Sequence, residues 1–247
     1  MEEKMIEQTK QTMLDLKLFG VLKTLDQRIN EASSHGWGHT EFISSLVTDE
    51  KLYREVSRVQ RRIRAANFRT DATLERVDVT VKRSITKTLI RDLMSLSYLK
   101  SPRNILITGP TGVGKTYLAT AIGEYSCRNG FACIFIGVSV FIEKLLMTRA
   151  DGTYLKYRER LIKTDLLIID DIGLKKIPHE IVMDLHDILE ERQGKTTLIT
   201  TQLPLKNWKE IIDDELALDT IVDKLAHGTL DIKLEGESYR KTRAKKE

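Results

Sequence analysis

The octapeptide Gly109-Pro110-Thr111-Gly112-Val113-Gly114-Lys115-Thr116 constrains the fold of this 247-residue chain more tightly than any other feature. It follows the pattern GxxxxGK[ST] and stands between an apolar run, Asn104 to Thr108, and a helical stretch, Tyr117 to Arg128. A strand, a glycine-rich turn and a helix in that order form a phosphate cradle, in which consecutive backbone N–H groups face one anion and the helix N-terminus adds partial positive charge. Lys115 is expected to reach the β and γ phosphates of ATP, and the Thr116 hydroxyl to ligate Mg²⁺.

Downstream, Asp165-Leu-Leu-Ile-Ile-Asp170-Asp171 reads as an apolar strand ending in two carboxylates. Asp170 is expected to hold the Mg²⁺ through water or through the Thr116 shell, and Asp171 to orient and partly deprotonate an attacking water. After the next apolar run, Thr200-Thr201-Gln202 brings an amide to the same sheet edge, where Gln202 could position that water. Arg240, beyond the last apolar run, could reach the phosphates from the C-terminal side.

The runs Ile105–Ile107, Ile134–Ile136, Leu166–Ile169, Leu198–Thr200 and Leu230–Leu234 are separated by stretches long enough for helices. That alternation predicts an α/β fold, a P-loop domain with a parallel sheet flanked by helices. Glycine and proline together supply only 18 residues, which points to a helix-rich chain. The segment 1–67 carries helical periodicity, broken at His35-Gly36-Trp37-Gly38, and reads as a small all-helical N-terminal domain. Residues 68–83 lack that periodicity and read as a linker; 84–247 reads as the ATPase core, starting with a helix through Ile85, Leu89, Leu93 and Leu96.

Net charge is only +4, but Lys51 to Arg103 holds fourteen Lys or Arg against five acids, leaving the remainder of the chain at −5. Arg54, Arg58, Arg61 and Arg62 share one side of a helix, with Tyr53, Val56, Val59 and Ile63 on the other. The arginines are not interleaved with acids, so the stripe is expected to meet DNA phosphates. No apolar h-region follows Met1-Glu2-Glu3-Lys4, and no uncharged stretch reaches the ~18 residues of a membrane span, so a cytoplasmic protein is expected. Two cysteines, Cys127 and Cys133, are read as small buried apolar groups, and the five histidines show no metal-ligand spacing.

GPTGVGKTYLATAIG (109–123), DLLIIDDIG (165–173), LEERQGKTTLITTQLPLKNW (189–208), IVDKLAHG (221–228), LEGESYRK (234–241) and RRIRAANF (61–68) together resemble the insertion-sequence helper ATPases called IstB, in the AAA+ branch shared with the DnaC helicase loader. The resemblance implies an AAA+ core without a C-terminal helical lid, a sensor-1 role for Gln202 and a sensor-2 role for Arg240. It also implies a trans cation from the D-x-L-x-H stretch of a neighbouring subunit. An arginine usual in the family is here Lys224, and Asp171 stands where a glutamate is common. Should Lys224 fail in that role, Arg192 is the next candidate. The implied function is that of an ATP-dependent transposition helper, a homo-oligomer that binds double-stranded DNA and recruits or activates the element's transposase. A DnaC-like loader of a replicative helicase is the alternative. A small-molecule kinase fits less well, since the arginine-rich stretch precedes the P-loop and Gln202 suits water as acceptor. A nucleotide-bound scaffold with little turnover draws support from Asp171 and Lys224.

Overall fold

A computed structural model describes residues 2–79, 84–173, 175–226 and 228–236. The chain divides into two compact units, 1–61 and 62–247.

The first unit is built from α1 (Glu2–Asp15), α2 (Phe19–His35) and the larger part of α3 (His39–Ala66). The break between α2 and α3 falls where glycine predicts it. Gly36 takes the left-handed conformation, φ 66°, and its N–H bonds back to the carbonyl of Ala32. At its other end α2 has no side-chain cap of its own; instead the buried carboxylate of Glu50, on α3, accepts the N–H groups of Gly20 (2.7 Å) and Val21 (3.2 Å). This contact satisfies orphan donors of α2 from a neighbouring helix. It is possible because Gly20 has no Cβ; one there would lie 2.6 Å from the Glu50 backbone.

In the second unit, α4 (Lys87–Met94) and the short α5 (Ser97–Lys100) precede β1 (Ile105–Thr108) and α6 (Lys115–Arg128). The single helix expected through Ile85, Leu89, Leu93 and Leu96 is thus two, because Leu96 adopts a left-handed backbone, φ 57°. Next come β2 (Cys133–Gly137), α7 (Val138–Ala150), α8 (Tyr154–Lys163), β3 (Leu166–Ile172), α9 (His179–Glu191), β4 (Thr196–Thr201), α10 (Glu215–Ala226) and β5 (Leu230–Lys233). The strands form one parallel sheet in the order β2-β3-β4-β1-β5.

Both faces are covered, and single strands feed two cores. Leu166 and Ile168 of β3 join Leu118, Ile122 and Phe135 on one face. Leu167 and Ile169 join Phe141, Leu161, Leu185 and Trp208 on the other. Continuous apolar runs are what such strands require. The stretch expected to be a linker contributes Ala72 and Leu74 to the first core, and its Phe68 meets Phe135 edge to face at 6.1 Å. Cys127 and Cys133 are buried free thiols.

Helix α6 approaches the sheet closely at Gly123, where a Cβ would lie 2.7 Å from the Phe68 ring and 2.9 Å from Ile168 Cδ1. Gly123→Val is expected to cost about 1–3 kcal/mol by overpacking. Urea unfolding followed at Trp208 should show a lower midpoint with an unchanged slope.

Candidate active site

The loop after β1 closes on itself as the motif predicts. Gly109 lies so near the Leu234 carbonyl that any side chain would collide with it, and Gly114, φ 104°, caps α6 in a conformation that disfavours other residues. Val113 is buried in the core, so within this loop it contributes backbone only. Lys115 is 4% exposed and donates to the carbonyls of Gly109 (2.8 Å) and Pro110 (2.9 Å). Burial lowers its pKa, and the charges of Asp171 and Asp170 work against that fall.

Across the loop, β3 and β4 lose register. Ile169 pairs with Ile199 and Ile172 with Thr201, so Asp170 and Asp171 together oppose the single residue Thr200. Such a bulge re-aims side chains at a strand end. Asp171 sits in the left-handed region, φ 64°, an uncommon conformation for aspartate. The Thr200 hydroxyl holds the bulge, donating to Asp170 Oδ1 at 2.6 Å and accepting the Asp171 N–H at 2.9 Å.

Asp170 is fully buried, and the Thr116 hydroxyl donates to its two oxygens at 3.1 and 3.2 Å. Burial raises its pKa. Thr200 and Thr116 oppose the rise by hydrogen bonding, Asp171 adds to it, and Arg69 counters with positive charge. A hydroxyl and a carboxylate side by side are the hard oxygen donors that Mg²⁺ takes when phosphates and water complete its shell. At the rim, the Thr111 hydroxyl donates to Gln202 Oε1 at 2.7 Å. Next to it opens a cleft of about 820 Å³ lined by Pro110, Thr111, Leu203, Lys233 and Leu234, a volume within the usual range for a small-molecule site.

The structure therefore gathers Lys115, Thr116, Asp170, Asp171 and Gln202 at one sheet edge. It does not bring Lys224 there. That residue lies on α10 at the opposite edge, where its carbonyl accepts from Asn104, just ahead of β1, and its ammonium pairs with Glu190 of α9. Arg240 lies outside the described residues. Arg192, the fallback trans cation, is corrected outright: it is 2% exposed and fully engaged. Its guanidinium donates to the carbonyls of Leu161 (2.6 Å), Ile162 (3.3 Å), Thr164 (2.9 Å) and Thr196 (2.5 Å), and to Thr197 Oγ1 (3.0 Å). It caps the C-terminal end of α8, and burial lowers its pKa to about 10. On α3, Arg54 pairs with Glu50 at 2.7 Å, Arg58 and Arg61 are exposed, and Arg62 is half-buried. Val56, expected on the packed side, is 55% exposed.

Two residues that sequence reasoning missed are Thr200 and Arg69. A threonine run closing an apolar strand was a faint signal for the first; nothing pointed to the second.

The sequence model of the IstB-like ATP binding protein family matches residues 11–247. The chain belongs to that family. It is 34% identical to an insertion sequence ATP-binding protein of Sinorhizobium fredii, over 93% of this chain and 94% of the relative. An ATP-binding protein from an insertion sequence of Mycobacterium tuberculosis is 30% identical, over 91% and 90%. Among solved structures, AMPPCP-bound DnaA of Aquifex aeolicus superposes with a TM-score of 0.59 at 21% identity, over 73% of this chain and 55% of that one. DnaI gives 0.58 at 18%, over 71% and 94%. These likenesses show that the ATPase unit shares the fold of DnaA and DnaI. Among the described residues no helix is long and apolar enough to cross a membrane.

The buried Asp170 sets a test of sign. An acid whose folded pKa is raised favours the fold when protonated, so above its unfolded value the charged group opposes folding, and stability recovers as pH falls through the folded value. Asp170→Asn is expected to raise the melting temperature of the ligand-free protein near pH 7, with the gain shrinking toward pH 4. Calorimetry across that range checks it.

Proposed function

We propose that the chain is an ATP-hydrolysing helper of insertion-sequence movement in the cytoplasm, forming a homo-oligomer on double-stranded DNA and recruiting or activating the element's transposase. The observation that supports it best is the cluster of Lys115, Thr116, Asp170 and Asp171 around a closed P-loop, in a chain whose relatives are named insertion sequence ATP-binding proteins. In this reading the helices of 1–67 carry DNA and partner contacts, and 84–247 carries the ATPase.

Bound ATP and Mg²⁺ would supply the electrophilic phosphorus and neutralise its charge. Lys115 exchanges its two loop carbonyls for phosphate oxygens, and the N–H groups of residues 111–116 share the remaining charge. Thr116 and Asp170 offer oxygen donors to the metal. Asp171 accepts a proton from water, and Gln202 orients that water beside it. Lys224 acts on a neighbouring subunit and must exchange Glu190 for phosphate to do so; as a compact charge it supports the phosphate less well than a forked arginine.

Asp171→Asn should bind ATP with unchanged affinity and lose about 10²–10⁴ in kcat, as removal of a general base does. Equilibrium titration and steady-state turnover, run together, check both halves; equal loss of binding would place Asp171 in the metal shell. Replacing Arg54, Arg58, Arg61 and Arg62 by Ala should flatten the salt dependence of duplex binding by about 0.9 in log–log slope for each phosphate that is no longer neutralised. An unchanged slope would remove the stripe from the DNA interface.

A further inference from the structure

A second basic site lies on the β2 side of the ATPase unit, apart from the P-loop. The end of β2, the first half of α7 and the last turns of α8 enclose a cavity of about 100 Å³, lined by Arg69, Gly137, Lys144, Tyr157 and Arg160 over an apolar floor of Ile134, Ile136 and Leu161. The convergence is built by backbone geometry. Asn67, left-handed at φ 61°, follows α3, and the Arg69 guanidinium comes up against Gly137, where a Cβ would lie 2.2 Å from its Nη2. Tyr157 and Arg160 are one turn apart on α8 and share a face.

Three cations and no acid line this cavity; among the described residues none of the three has an ion-pair contact, though the charge of Arg69 is also felt by the buried Asp170. The Tyr157 hydroxyl is buried without a hydrogen-bond partner among the described residues. Burial pushes its pKa up to about 12, so it remains a neutral phenol and a donor. Buried polar groups are nearly always satisfied, and unpaired cations around a shared cavity repel one another. One ligand chemistry answers both conditions. An oxyanion accepts from the phenol and from the guanidinium and ammonium groups together. At about 100 Å³ the cavity has room for one tetrahedral anion.

We propose that the cavity bounded by Arg69, Lys144, Tyr157 and Arg160 is a second oxyanion site, distinct from the P-loop, that takes one phosphate group. Whether that group belongs to a DNA backbone or is free phosphate is decided by experiment; the DNA source alone rests on the function proposed above.

The test compares the full chain with Tyr157→Phe and with Lys144→Gln/Arg160→Gln, all with saturating Mg-ADP present to occupy the P-loop. Inorganic phosphate at about tenfold its Kd should raise the wild-type melting temperature by roughly 3–6 °C. Both variants should lose most of that shift. Tyr157→Phe should do so with an undiminished melting temperature in the absence of phosphate, because it removes a hydroxyl that has no partner. In the second arm, duplex DNA binding against salt should lose about 0.9 in log–log slope in Lys144→Gln/Arg160→Gln. Loss in both arms establishes a backbone-phosphate site, loss of the phosphate shift alone a free-phosphate site, and loss of slope alone a site that holds phosphate only within DNA. Variants matching wild type in both arms overturn the proposal. If wild type shows the variant-sensitive phosphate shift yet neither hydrolyses ATP nor binds DNA, the function proposed above fails and the oxyanion site stands.

Discussion

One hydroxyl governs the chemical edge of this sheet. Thr200 faces two carboxyl-bearing residues, giving a hydrogen bond to one and receiving one from the other across a break in the β3–β4 ladder. Without that bridge, Asp170 would keep only the Thr116 hydroxyl as donor and the Asp171 N–H would be left unbonded in a strained left-handed turn. An unsatisfied buried group of that kind costs about 1–3 kcal/mol, more when charged. The bulge, the burial of one acid and the strain at the next are thus one arrangement. It holds two adjacent carboxylates in different environments, Asp170 sealed in and Asp171 partly open to solvent.

The remainder of the fold brings the glycine loop to that edge. Gly123 lets α6 rest on β3 and Phe68, and Gly109 lets the loop lie against the carbonyl that follows β5. These two close approaches fix the helix and its leading lysine relative to the bulged strand. The opposite edge is held differently: Arg192 gathers the end of α8 and the start of β4 with neutral acceptors alone, so a charge deep in the protein serves as a structural tie.

How far the sequence was legible follows from what each signal depends on. The strand–loop–helix of the P-loop and the acid pair are local patterns, set by glycine geometry and apolar runs, and they appear where the residues predict. The strands do too: β1 to β4 as largely buried runs, and β5, at the sheet edge, as an alternation in which Ile232 is buried and Asp231 and Lys233 are exposed. What the sequence hid depends on partners far along the chain. Thr200 is one polar residue among several until Asp170 is placed opposite it. Arg192 reads as a surface cation until its four carbonyls are known. Glu50 looks like an ordinary helix acid, yet it caps α2 thirty residues earlier. Leu96 broke an expected helix through backbone conformation alone, with nothing in its side chain to announce it.

The inward fold of Lys115 sets a threshold for entry. In the resting loop the ammonium is already bound by two carbonyls, so an incoming anion competes with internal ligands rather than with water. Charge-assisted hydrogen bonds contribute about 1.5–3 kcal/mol each, and an anion offering one or two oxygens merely exchanges one set for another. Discrimination then favours a polyanion long enough to engage the lysine, the loop amides and the metal ligands at the same time. The loop thereby acts as a length gauge for phosphate chains, with the protein's own backbone as the competing ligand.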